Sequence, residues 1–352
     1  DYGDFLSLDT LACIDKLKQT GTRTRLRHAS INHYLQRALL PQETEMRAWM
    51  MGASAHVDGQ KIYLRNIIPW CQKSSTYEKR RILEKESRSL CRFLKPFALN
   101  YWEILLRILK EDLGYKSYID YCQEKKGIDF SSYYQILKGV LRDTNDLYFS
   151  AMERWAQRRF DLPLDELSRF DAIMLMGLGE YDALFPRKSI KELTGFFEYW
   201  GMDIENIPGL NLELERKEGK SSQAMCFLLE VPEEVYVLMK PEGGWIDLET
   251  LWHELGHGLS AVFTSPELSM VEREMATSYS LSESFAFLLQ NLTISKPFLE
   301  DYLGLSPEDA QELAYHKVLK DFYGFRRYAA KFLVEFEMFS DGDISNGVRY
   351  AE

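Results

Sequence analysis

Residues 245–263 run WIDLETLWHELGHGLSAVF, one amphipathic helix with a chemical signature at its centre. Apolar side chains at Leu248, Leu251, Trp252, Leu255, Leu259, Val262 and Phe263 recur at the three- and four-residue steps of a helix. Pro266 ends the pattern, Asp247 suits the N-cap, and Ile246 can staple onto Leu251. Inside stands His253-Glu254-Leu255-Gly256-His257. Histidines four apart differ by about 40° in direction, so both imidazoles leave one face a turn apart and can share one metal ion. Glu254 points along the side of that face, within reach of a metal-bound water without being a ligand, as a general base requires. With six histidines in 352 residues, a chance H-E-x-x-H is roughly a one-in-a-hundred event.

Catalytic zinc takes three protein ligands and keeps one position for water. The extended pattern with a third histidine fails, because Ser260 and Phe263 stand where Gly and His are needed. The remaining candidates are Glu267, Glu272, Glu274 and Glu283. Glu267 follows Pro266 too closely to return, and Glu272 and Glu274 flank Arg273 in a stretch without a helical stripe. Glu283 follows Ser282, a capping residue, and precedes Phe285, Phe287, Leu288 and Leu289. It is therefore expected in the first turn of a mostly buried helix, where a carboxylate needs a compensating cation.

Working backwards, three short strand-like stretches lie at 212–215, 224–231 and 235–240, the last two joined by Pro232-Glu233-Glu234, which predicts a small antiparallel sheet. Ser189 and Glu192 form a capping box for a helix reaching about Trp200. Before Pro186 the text is helix after helix. An amphipathic stripe covers 77–113 with Pro96 inside it, either one kinked helix or two meeting near Lys95. Similar spacing runs from Tyr133 to Trp155. The expected fold is mainly α, a large multi-helix fold with the small sheet ahead of the H-E-x-x-H helix. A helical lobe is expected at 1–188 and a catalytic zinc lobe at 189–352.

Composition narrows the function. With 43 Lys+Arg against 54 Asp+Glu and a net charge of −11, the chain lacks the diffuse positive footprint of a nucleic-acid or anionic-membrane binder. Five scattered cysteines with no C-x-x-C pair argue against a disulfide framework and fit a reducing, cytoplasmic setting. No apolar run is long enough to span a membrane, and the N-terminus lacks a signal-peptide pattern.

The helix motif, Glu283-Ser284 and Gln290-Asn291 together resemble the thimet oligopeptidase and oligoendopeptidase F family of zinc peptidases. They are also similar to the carboxypeptidase Taq family, which shares the wide interval between second histidine and glutamate. Glu283 follows His257 by 26 residues; the shorter interval of thermolysin-type enzymes would land on Ala276 or Thr277. The stretch 214–227, LERKEGKSSQAMCF, resembles the oligoendopeptidase pattern ahead of the catalytic helix.

The resemblance implies His253, His257 and Glu283 as ligands of one zinc ion and Glu254 as general base and acid. That family also carries a later histidine and several tyrosines that hold substrate and stabilise the oxyanion. The comparable text here is His316 and Tyr323-Gly324-Phe325-Arg326-Arg327-Tyr328, without the family's spacing. Tyr323 and Tyr328 become candidate oxyanion donors, and Arg326, Arg327 and His316 candidate substrate-binding residues. The expected activity is zinc-dependent hydrolysis of short peptides. The alternatives are a metallocarboxypeptidase of the Taq type and a non-catalytic helical binding protein with a structural metal.

Overall fold

The computed structural model describes residues 6–73, 76–185, 190–215, 217, 220, 224–241 and 243–345. The chain forms two compact units, Asp1–Met176 with Leu319–Glu352 and Gly177–Val318. No helix among the described residues is long and apolar enough to cross a membrane.

The first unit is helical, with α1 (Leu8–Ile14), α2 (Thr20–Gly52), α3 (Ile67–Lys73), α4 (Tyr77–Glu111), α5 (Tyr118–Lys126), α6 (Phe130–Asp143), α7 (Asn145–Phe160) and α8 (Arg169–Met176). Of the two arrangements open at Pro96, α4 is the single helix running through it. The spacing across 133–155 instead belongs to two helices. They part at Thr144, whose hydroxyl turns back to the Val140 carbonyl at 2.7 Å and so competes with the helix ladder.

Ile31, Leu35 and Leu39 of α2 meet Leu105, Ile108 and Leu109 of α4 in one core cluster. A hairpin of β1 (Ser54–Val57) and β2 (Gln60–Tyr63) closes a second cluster with Cys71 and Leu83. The sequence reading missed this hairpin although its signal is present. Asp58 and Gly59 both adopt positive φ, 48° and 77°, which is the demand of a two-residue Asp-Gly turn between strands.

The second unit carries the small sheet. Its strands β3 (Leu210–Glu213), β4 (Met225–Glu230) and β5 (Glu234–Leu238) lie in the order β3-β5-β4. β4 and β5 form the expected antiparallel pair, Cys226 opposite Val237. β3 joins β5 in parallel, so the sheet is mixed, because the chain crosses from β3 to the far edge before returning along β5. The helix α9 (Ile190–Tyr199) precedes the sheet; the proposed Ser189–Glu192 capping box, and Arg216 and Gly219 of the 214–227 stretch, fall outside the described residues. After the sheet come α10 (Trp245–Val262), α11 (Met270–Glu274), α12 (Ser280–Leu292) and α13 (Pro307–Asp341), which starts in the second unit and ends in the first.

Helix α10 is the most buried element of its unit. Trp252 packs between Phe196, Phe197 and Phe298 with ring centroids at 5.4, 4.9 and 4.9 Å. On its other flank Gly258 brings α10 onto the sheet, where an added Cβ would stand 3.0 Å from Val237 and 3.1 Å from Leu210. These contacts hold the residues on either side of the two histidines.

Candidate metal centre

The helix that presents the histidines begins three residues earlier than an Asp247 cap would start it. Its N-cap is Gly244 at φ 94°, not Asp247. The capping oxygen comes from far away in sequence, Asp182, which accepts from the Trp245 N–H at 3.0 Å. Asp247 lies in the first turn and accepts from the Gly243 N–H. Both carboxylates complement the positive end of the helix.

Gly256, just before the second histidine, decides how α10 meets α12. A Cβ there would lie 2.7 Å from the Phe285 carbonyl oxygen and 2.8 Å from the Ala286 nitrogen. The two helices thus touch backbone to backbone. Ala286 and Gln290 are the buried residues of α12, and Glu283 lies three residues before Ala286 on the same face. The crossing therefore carries Glu283 to the paired imidazoles.

Glu283 Oε2 is 3.6 Å from His253 Nε2, and Oε1 is 3.8 Å from His257 Nε2. One ligand atom from each residue lies within 4.8 Å of the others. Ligand atoms around tetrahedral zinc, with bonds of about 2.0–2.1 Å, sit about 3.3 Å apart. Two imidazoles and one carboxylate at these spacings fit a zinc ion. The far side of each ring is occupied: His253 Nδ1 meets Gln290 Oε1 at 2.8 Å, and His257 Nδ1 meets the Ser282 hydroxyl at 2.7 Å. That leaves the two Nε2 atoms facing the carboxylate.

Two expectations about α12 are corrected. Ser282 does not cap the helix, whose N-cap is Tyr279; it holds His257. Nor is the helix mostly buried. The Glu283 side chain is 46% exposed, and Phe285, Phe287 and Leu288 stand in solvent at its surface. The small residues face α10 because the backbone contact at Gly256 leaves no room for the large ones, so the cation-demand argument for Glu283 gives way to proximity.

Glu254 is half-buried. Burial raises its carboxyl above the ordinary glutamate value, opposed by neighbouring His253 and a backbone hydrogen bond from Cys226, and assisted by Glu283. Burial, with Glu254 nearby, pushes the Cys226 thiol up to about 12. Burial also lowers the His257 pKa, with His253 acting in the same direction and Glu283 against it. A neutral imidazole and a basic carboxylate are the forms that ligation and proton abstraction need.

The remaining candidates all lie on α13. His316 is buried, its Nδ1 bonded to the Tyr181 hydroxyl. Tyr323, Arg326, Arg327 and Tyr328 belong to the first unit. Arg326 is 9% exposed and holds the break between α6 and α7, donating to the Leu141 carbonyl at 2.8 Å and to Thr144 and Asn145. Arg327 and Tyr328 are exposed, and Tyr323 is half-buried. Sequence reasoning missed Glu249 and Lys317, which stand behind Gln290, and Asp182; nothing in their local text marks them.

No protein-family model and no curated protein matches the sequence. Solved structures do. The chain superposes over 99% of its length on a Bacillus anthracis strain Ames protein named as an oligoendopeptidase F, with a TM-score of 0.57 and 16% identity. A second structure named as oligoendopeptidase F gives 0.55 at 16% identity over the same share, and PZ peptidase A bound to an inhibitor gives 0.50 at 14% over 99%. The chain has the oligoendopeptidase F fold. It spans 63% of the length of the two oligoendopeptidase F structures and 65% of the PZ peptidase. The mainly α architecture expected from the sequence is this fold.

Proposed function

We propose that this chain is a zinc-dependent peptidase acting on short peptides. The observation that carries the reading is the convergence of His253, His257 and Glu283 from two helices with Glu254 beside them. Likeness to structures named as oligopeptidases supports it. When bound, zinc supplies Lewis acidity that lowers the pKa of water towards about 7 and polarises a carbonyl. His253 and His257 would hold it through Nε2 and Glu283 through a carboxylate oxygen. Glu254 takes the proton of the attacking water and returns it to the leaving amine. Its raised pKa suits both halves of that exchange.

Strand β4 is an edge of the sheet and abuts Glu254 through the Cys226 backbone. An extended peptide paired along that edge, main chain to main chain, would bring its carbonyls past the site. The five free cysteines fit a reducing, cytoplasmic location. The test is metal analysis together with a mixed-peptide digest, with and without a chelator, on free and C-terminally amidated peptides. One zinc per chain and chelator-sensitive cleavage of both peptide forms is the expected result. Cleavage of free peptides alone would assign the carboxypeptidase alternative, and stoichiometric zinc with no cleavage the binding-protein alternative.

A further inference from the structure

This inference rests on the metallopeptidase reading and concerns how His253 is prepared for its ion. Behind Gln290 lies a short chain of fully enclosed polar groups: Lys317 is 0% exposed, and Glu249 and Gln290 are buried with it. Lys317 Nζ is 3.5 Å from Glu249 Oε1 and donates to Asn291 Oδ1 at 3.3 Å. Gln290 Nε2 donates to the same Glu249 oxygen at 3.0 Å. Gln290 Oε1 meets His253 Nδ1 at 2.8 Å.

The hydrogen-bonding capacities along this chain permit one direction only. An ammonium donates and never accepts, and a carboxylate paired with it accepts and never donates. A primary amide has a donor end and an acceptor end. Glu249 claims the donor end of Gln290, so the acceptor end must face the imidazole. An acceptor at Nδ1 requires a proton on Nδ1, and a neutral ring protonated there has its lone pair on Nε2. That is the nitrogen 3.6 Å from Glu283. His257 is treated differently, because the Ser282 hydroxyl at its Nδ1 can either donate or accept.

We propose that Lys317, Glu249 and Gln290 form a one-way hydrogen-bond relay that fixes His253 in its Nδ1–H tautomer and so presents a bare Nε2 before any divalent cation arrives. All three are positioning residues that act through His253. The relay also keeps formal charge one residue away from the Nδ1 side of the ring. The group bonded to Nδ1 is a neutral amide, and the carboxylate behind it is paired with the buried ammonium.

The test uses the full chain with 15N-labelled histidine, metal-free, at pH 8, read by long-range 1H–15N correlation. His253 is expected as Nδ1–H in the parent. Gln290→Leu removes the amide. The paired variant Glu249→Leu with Lys317→Met removes both direction-setting groups together, so neither is left facing the other's lost charge. In both, His253 is expected as a mixture of tautomers, with affinity for zinc or cobalt(II) about tenfold to a hundredfold weaker and an altered cobalt absorption spectrum. Ser282→Ala should leave the His253 tautomer unchanged.

A parent His253 protonated on Nε2 in the metal-free chain would overturn the relay, as would a folded Gln290→Leu that keeps the parent tautomer and affinity. If Gln290→Leu does not fold, the paired variant decides: retention of the parent tautomer overturns the part assigned to Glu249 and Lys317. A chain that shows the expected tautomer and binds zinc but cleaves no peptide overturns the peptidase reading alone. One that cleaves peptides from a mixed-tautomer His253 overturns the relay alone.

Discussion

Each unit buries charge, and the two bury it to different ends. In the first, Arg80 and Asp171 pair at 2.7 Å with both side chains enclosed, and the Ser168 N–H and hydroxyl complete the carboxylate at 2.7 and 2.8 Å. Arg81 Nη2, on a partly exposed side chain, adds a second cation 3.4 Å from the other carboxylate oxygen, so this charge is matched by neighbouring side chains. In the second, Lys317 and Glu249 lead through Gln290 to His253, whose other nitrogen faces a half-exposed carboxylate. That network has an open end. The same requirement, that a buried charge be matched, is met once by a cluster of mutually paired side chains and once by a chain whose last group remains free to bind.

The sharpest way to break this comparison is at the open end. Glu254→Gln keeps size and polarity, so fold and zinc content should match the parent. Peptide hydrolysis should fall at least about a hundredfold. A variant turning over peptides at the parent rate would remove Glu254 as the base.

The cluster in the first unit should behave oppositely. Asp171→Leu removes the buried carboxylate that Arg80 and Arg81 share and should cost about 3–5 kcal/mol of stability, read by denaturant unfolding, with no effect on zinc affinity in the protein that remains folded. A loss under about 1 kcal/mol would mean that Arg80 finds another partner.

Glycine tests the same contrast through shape. Gly256→Ala drives a Cβ into the Phe285–Ala286 backbone, so it should destabilise by about 1–3 kcal/mol and weaken zinc binding as α10 and α12 separate. Gly139 in α6 has nothing within 4 Å of such a Cβ. There Gly139→Ala should stabilise by about 0.5–1 kcal/mol. Equal effects from the two substitutions would show that the helix crossing is looser than its contacts state.

The smallest effect expected is one of pH. His28 is buried in the first unit, and neither ring nitrogen has a hydrogen-bond partner among the described residues. Burial lowers its pKa below 6.5, only partly offset by Glu124, with Oε1 3.7 Å away. The unfolded chain then takes up the proton first as pH falls. Stability present above about pH 6.5 should therefore drop below it, with a slope of at most about 1.4 kcal/mol per pH unit. His28→Phe should flatten that part of the stability profile; an unchanged profile would acquit His28.

Much of the molecule is legible from local text because local forces set it. The stripe across 77–113 becomes the single helix α4, and the β4–β5 hairpin follows from two strand-like runs around Pro232. Spacing on one helix turn suffices to place His253, Glu254 and His257 together. Local text misleads where a residue has two uses. Ser282 looks like a cap and serves as an imidazole partner, Asp247 looks like a cap and yields that place to Asp182, and Arg326 looks like a carboxylate reader and sits buried at a helix break.

What the amino-acid order determined unaided is the pair of imidazoles and the glutamate between them, because a helix repeats its own geometry whatever surrounds it. The approach of Glu283, the direction of the Gln290 amide and the burial of Lys317 were decided only when α10 met α12 at Gly256 and α13 supplied its ammonium. Contacts between groups 26 to 68 residues apart arise from packing, and no periodicity in the chain encodes them.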